Sequence, residues 1–162
     1  MKLWHKFFLC MLFLSFSVLC LYGGTLIKKN HRDNLAREQE RSINEMDLIR
    51  AAIENGAQVL GDELQSVSWY GADYEKKNMY FSLFQDQEQI YTRLDAVPAE
   101  DYRRLLQVQE NTKRIQILSN RGNHYMAVSH FLGEDESMVL VYLRNINAIY
   151  QIQEENLRQF GL

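Results

Sequence analysis

The stretch RIQILSNRGNHYMAVSHFLGEDESMVLVYLR, residues 114–144, alternates three apolar runs with two polar turns. The runs, residues 114–119, 124–132 and 137–144, are rich in β-branched and aromatic side chains and have strand length. Asn120-Arg121-Gly122-Asn123 separates the first two runs, and Gly133-Glu134-Asp135-Glu136 separates the last two. Glycine and asparagine tolerate positive φ and the acidic residues stay hydrated, so both connections predict hairpins. Three strands joined by hairpins make an antiparallel sheet.

Upstream, residues 79–84 and 88–94 carry the same strand composition around a Gln85-Asp86-Gln87 turn. Between them and the three-strand block, Pro98 opens a predicted helix over residues 99–109. Proline in the first turn with Glu100 and Asp101 beside it suits a helix start sterically and electrostatically. Downstream, Ile146, Tyr150, Gln153, Leu157 and Phe160 share one side of a predicted helix over residues 147–160. Before the sheet, Leu35, Ser42, Met46, Ile49, Ile53, Gly56, Leu60 and Leu64 recur at three- and four-residue steps. They predict one long helix over residues 28–64, whose narrow stripe meets either a partner helix or its own core. Residues 65–77, with Trp69, Tyr70 and Tyr74 around Gly71, read as loop or a short helix. The order is helix, two strands, helix, three strands, helix. That is an α+β fold: one five-stranded antiparallel sheet with helices packed mainly on one face.

The chain opens differently. Residues 7–27, FFLCMLFLSFSVLCLYGGTLI, run 21 positions without a charge. At ~1.5 Å per residue they span ~30 Å, the hydrocarbon thickness of a bilayer. Lys2 and Lys6 precede the run; Lys28, Lys29, His31 and Arg32 follow it. Counting cations alone would place the later flank in the cytoplasm. A six-residue tail leading into so long a run instead fits a signal anchor with its N-terminus inside, the Lys28 cluster snorkelling to headgroups. A cleaved signal peptide is the competing reading, but the run exceeds a usual h-region and no clean small-x-small site follows it.

Charge narrows the partners. All 21 acidic residues lie at Asp33 or beyond, with 13 of the 18 Lys and Arg, so the folded part carries a net charge of −8. An acidic surface argues against nucleic acid, whose binding rests on neutralising phosphates. Cys10 and Cys20 both fall in the apolar run, so the folded part has neither disulfide nor thiolate chemistry. A bacterial exterior fits an anchor followed by such a domain.

The sequence carries no recognisable catalytic pattern. The eight glycines form no phosphate loop. There is no His-Glu-x-x-His, no cysteine pair outside the apolar run and no Gly-x-Ser-x-Gly elbow. No metal site and no cofactor are therefore expected. His124 and His130 share one face of a strand but stand ~20 Å apart, too far to hold one ion, and read as surface or edge histidines. Glu134-Asp135-Glu136 reads as a solvated turn. Most aromatics read as core. Trp69, Tyr70, Tyr91 and Arg93 are the candidate ligand-binding residues. Arg93 lies in a predicted strand beside Tyr91, and an arginine among aromatics can receive a ligand carboxylate. The alternative for Arg93 is a cation–π contact or ion pair at the sheet surface.

The layout resembles the extracytoplasmic sensor region of bacterial membrane sensor histidine kinases, with its single Cache, or PAS-like, sheet. The stretches that carry the resemblance are Asn123-His124-Tyr125-Met126-Ala127-Val128-Ser129, Val139-Leu140-Val141-Tyr142-Leu143-Arg144-Asn145-Ile146, and Ile149-Tyr150 with Glu154-Glu155. It covers the chain by architecture and by no catalytic signature. It implies a cytoplasmic tail (1–6), a transmembrane anchor (7–27), a juxtamembrane dimerisation helix (28–64), a sensor sheet domain (65–146), and an exit helix (147–162) leading to a second span. It implies a cell-membrane location with the domain extracytoplasmic, a homodimer through the long helix, and a small-molecule or peptide ligand or another membrane protein as the signal. Relay, phosphoacceptor and ATP-binding segments are missing from these 162 residues, so this chain alone is expected to catalyse nothing. A stand-alone membrane-anchored regulatory protein is the alternative.

Overall fold

A computed structural model describes residues 3–94, 97–109, 112–133 and 136–159. The chain divides into two compact units, Met1–Ala36 with Ala148–Leu162, and Arg37–Asn147.

Helix α1 (Leu3–Leu60) runs unbroken from the apolar start, and its N-terminal part is long and apolar enough to cross a membrane. In the first unit nearly all its large apolar side chains point outward, Phe7, Phe13, Phe16 and Leu19 among them. Gly23 and Ile27 are the buried exceptions. On the same side a turn later, the His31 ring meets Tyr150 edge-on, centroids 5.2 Å apart. Tyr150 belongs to α3 (Asn147–Gln159). Ile149, Tyr150, Gln153, Asn156 and Leu157 form its half-buried stripe, and the remaining positions of the helix after Asn147 are exposed. The expected Phe160 position of that stripe lies outside the described residues.

The second unit is built on five strands: β1 (Met79–Gln85), β2 (Glu88–Thr92), β3 (Arg114–Asn120), β4 (Asn123–Leu132) and β5 (Met138–Asn145). They form one antiparallel sheet in the order β2-β1-β5-β4-β3. Both described hairpin turns place two residues at positive φ, Asp86 and Gln87 in one, Arg121 and Gly122 in the other. That twist matches the flanking strands. Glu134 and Asp135 of the third connection lie outside the described residues.

Alternate residues of β1, β4 and β5 build two separate cores. One face carries Phe81, Leu83, Val128, Leu132, Leu140 and Tyr142 under Met46, Ile49 and Ile53 of α1 and Val67 of α2 (Glu63–Glu75). The other carries Phe84, Leu118, Tyr125, Ala127, Val141 and Leu143 under Val97, Tyr102 and Leu105. Helices α1 and α2 thus lie on one face, as expected, while a largely non-helical segment closes the second face. This is why the middle of β5 reads as an unbroken apolar run, as strands buried on both faces do.

Two corrections concern helices. The long helix stops at Leu60, before the predicted 64, because Gly61 takes φ +77 and Asp62 caps a new helix through its bond from the Leu64 N–H at 3.1 Å. Leu60 and Leu64 are accordingly exposed, and the segment over residues 65–77 is mostly helix α2. The helix expected over residues 99–109 is only a 3-10 turn, Ala99–Tyr102. Carbonyls of this segment are bound by side chains of the sheet. Ser129 Oγ donates to Leu105 O at 2.6 Å and Arg114 Nε to Gln107 O at 3.0 Å.

Helices α1 and α2 meet through small residues. A Cβ on Gly56 would stand 2.5 Å from Ser66 Oγ, which donates to Ile53 O at 2.7 Å. Gly56→Ala is therefore expected to destabilise the domain by about 1 kcal/mol, overpacking outweighing the gain in helix propensity. In a Ser66→Ala background, where the clashing oxygen is gone and Tyr70 Cε2 at 3.1 Å is the closest atom left, the same change should cost clearly less. Denaturant unfolding of the four proteins checks the difference.

Candidate functional site

The four sequence-predicted binding residues fall into two pairs. Tyr91 and Arg93 come together: Arg93 Nε donates to Tyr91 Oη at 3.1 Å and Nη1 to Glu75 at 2.7 Å. The bond to Tyr91 and the pairing with Glu75 hold the guanidinium pKa above its ordinary value. Tyr91 Oη abuts α2, where a Cβ on Gly71 would stand 2.6 Å away. Trp69 and Tyr70 pack edge-to-face on α2, centroids 4.9 Å apart, with Trp69 exposed and Tyr70 against the core. Among the described residues no hydrogen bond or ring contact joins the two pairs. The charge of Arg93 is answered by Glu75, within the ion-pair alternative read from the sequence.

His130 departs from the surface reading: it is 6% exposed. Its ring nitrogens lie 2.9 and 3.2 Å from Arg50 Nη1, and Nδ1 lies 3.1 Å from Phe131 O. Arg50 and the Phe131 carbonyl thus both meet the imidazole edge. Arg50 also pairs with Glu54 at 3.2 Å. Beyond it lies an open cleft of about 680 Å³, lined among others by Arg50, Glu54, Glu63, Glu136 and Met138.

The most concentrated charge in the second unit joins α1 to the last strand. Arg144 of β5 reaches two carboxylates of α1: Nε lies 2.6 Å from Glu38 and Nη1 2.6 Å from Glu45. Tyr142, on the same face of β5, donates its hydroxyl to Glu45 at 2.6 Å. Arg41 approaches the other Glu45 oxygen at 3.2 Å. Burial pushes the Glu45 carboxyl up. Hydrogen bonds from Tyr142 and Arg144, and the charges of Arg144 and Arg41, outweigh it and hold the pKa below the ordinary glutamate range. Burial first, and then the bond to Glu45, push the Tyr142 hydroxyl far above its ordinary value, so it stays a neutral donor. Further along α1, Asp47 pairs with Lys113 just before β3.

The end of β5 is stitched just as closely. Ile146 N donates to His124 O at 2.9 Å, and His124 N to Asn147 Oδ1 at 2.6 Å. Asn147 Nδ2 donates to Asn123 at 2.6 Å, and Asn147 N to Asn145 Oδ1 at 2.9 Å. The first residue of α3 is thereby fixed to the start of β4. This arrangement holds α1, β4 and β5 in one relative position through charge-assisted bonds. Among the described residues no three His, Cys, Asp or Glu converge on a common point.

Sequence reading missed this cluster. Its one linear trace is the seven-residue spacing of Glu38 and Glu45, which puts both on one side of a helix. Their partner lies about a hundred positions away in an otherwise apolar strand. No family model and no curated protein matches the chain.

Proposed function

We propose that the chain is the extracytoplasmic input module of a membrane receptor of the sensor histidine kinase kind, with a single Cache or PAS-like sheet. The observation that carries this reading is the Arg144–Glu38–Glu45–Tyr142 cluster. It ties the helix that begins as the apolar run to the strand that leads into α3. A ligand or partner that favours one position of β5 against α1 changes both helices together, which is the requirement for passing a signal by population shift. In this reading residues 7–27 cross the cell membrane, the short N-terminal tail is cytoplasmic, and two copies associate through α1. The apolar side chains that α1 turns outward support the membrane assignment.

The first test is to read the gene beyond the codon for Leu162. An apolar run of about 20 residues, then a helical relay with a phosphoacceptor histidine, is the expected result. A stop codon there would overturn the kinase reading and leave the anchored regulatory protein.

A further inference from the structure

Where the chain returns to the sheet at β3, a cleft of about 290 Å³ is lined by Arg104, Leu105, Gln107, Arg114, Ile115 and Gln116. The cleft has a fixed floor: Leu105 is buried, and Ser129 holds its carbonyl at 2.6 Å. Arg104 makes no hydrogen bond or ion pair with the described residues. Arg114 gives its Nε to the Gln107 carbonyl at 3.0 Å, and no carboxylate among the described residues answers its charge. Gln116 contributes a buried Oε1 without a hydrogen-bond partner among the described residues.

Each feature counts against the domain's own composition. Acidic residues outnumber Lys and Arg by 21 to 13 from Asp33 onward, yet two guanidiniums share a cleft that no acidic residue among the described ones lines. A buried amide atom without a partner costs about 1–3 kcal/mol unless something meets it. A carboxamide can turn either its oxygen or its NH2 to a given place, so Gln116 can offer a donor there.

We propose that this cleft binds a small oxyanion, held by the Arg104 and Arg114 guanidiniums with the Gln116 amide completing its hydrogen bonds. Guanidinium forks match the paired oxygens of carboxylates and phosphates alike. At about 290 Å³ the cleft sits at the lower bound of ligand pockets, which suits a small anion and not a peptide. The proposal goes beyond the receptor reading and does not depend on it, because binding is measured without signalling.

The test is calorimetric titration of the full chain in neutral detergent micelles, with inorganic phosphate and with succinate in separate runs. Saturable binding of at least one anion is expected, weakened about tenfold by Arg104→Gln, the equivalent of one charge-assisted bond. Arg121→Gln, outside the cleft, should leave the affinity unchanged. Binding of phosphate alone assigns a phosphoryl ligand, and binding of succinate alone a carboxylate. Should Arg114→Gln lower the thermal midpoint, Arg104→Gln decides, since Arg104 makes no hydrogen bond or ion pair with the described residues. The proposal fails if neither anion saturates in the millimolar range, or if a folded Arg104→Gln binds as tightly as the parent chain.

Discussion

Replacing Arg144 by methionine is expected to lower the unfolding free energy by about 3 kcal/mol, because it leaves two carboxylates on α1 without their cation. The side chains of Arg144, Glu38 and Glu45 are 15%, 17% and 25% exposed, so some water remains and the lower end of the range for broken buried pairs applies. Arg144→Lys should fall between, since an ammonium cannot serve both carboxylates as a fork does. Removing the stranded charges as well, in a triple Arg144→Met, Glu38→Gln, Glu45→Gln chain, should recover most of the loss. Denaturant unfolding in micelles, followed by circular dichroism, measures all three. A loss below about 0.5 kcal/mol for Arg144→Met would mean that the cluster is a surface ion pair in energetic terms.

The same cluster sets an acid limit. The Glu45 carboxyl is held below its ordinary range in the folded chain, so near that range the unfolded chain binds more protons. The resulting stabilisation is complete above the ordinary glutamate range and is lost as pH falls through it and beneath it. Arg144→Met should flatten this acid-side slope. An unchanged slope in the variant would assign the acid sensitivity to other carboxylates.

Phe81→Ala is expected to cost about 4 kcal/mol. Phe81 is fully buried beneath α1 and α2, with its ring 5.2 Å from that of Tyr74 and 6.1 Å from that of Tyr142. Truncation leaves a void that two helices and a sheet cannot collapse to fill, and it removes the wall that sets the Tyr142 ring. Phe81→Leu, which keeps most of the volume, should cost about 1–2 kcal/mol. A second measurement follows from the contact with Tyr142. Phe81→Ala and Tyr142→Phe should be non-additive, since the first mutation already loosens the hydroxyl that reaches Glu45. Additive losses would show that ring and ionic cluster act independently.

Much of the fold was legible because its signals are local. Strand composition and the Gln85-Asp86-Gln87 and Asn120-Arg121-Gly122-Asn123 turns located four strands within a residue or two, and the uncharged start marked the membrane-length helix. What failed was decided by distant partners. The stripe through Leu60 and Leu64 looked continuous, although Gly61-Asp62 carried a stop and a cap that periodicity passed over. The segment after Pro98 had a helix start, but Tyr102 and Leu105 are drawn into the sheet's second face and its carbonyls are taken by Ser129 and Arg114. Arg93 was legible as an arginine beside tyrosine; its actual partner, Glu75, is 18 positions away on another element. The Arg144 cluster was not legible, because nothing in an apolar strand states which helix lies over it.

The strand synthesised last, β5, occupies the centre of the sheet, between β1 and β4. Until it emerges, the chain can form only two unconnected hairpins, β1–β2 and β3–β4, each with an inner edge that has no neighbour. Assembly of the sheet thus waits for β5 and is governed by long-range closure, the slow class of folding step. During that interval the open edges of β1 and β4 are templates for wrong pairing. Mutations in β5 should therefore reduce the yield of folded protein more than their effect on the finished structure's stability would suggest.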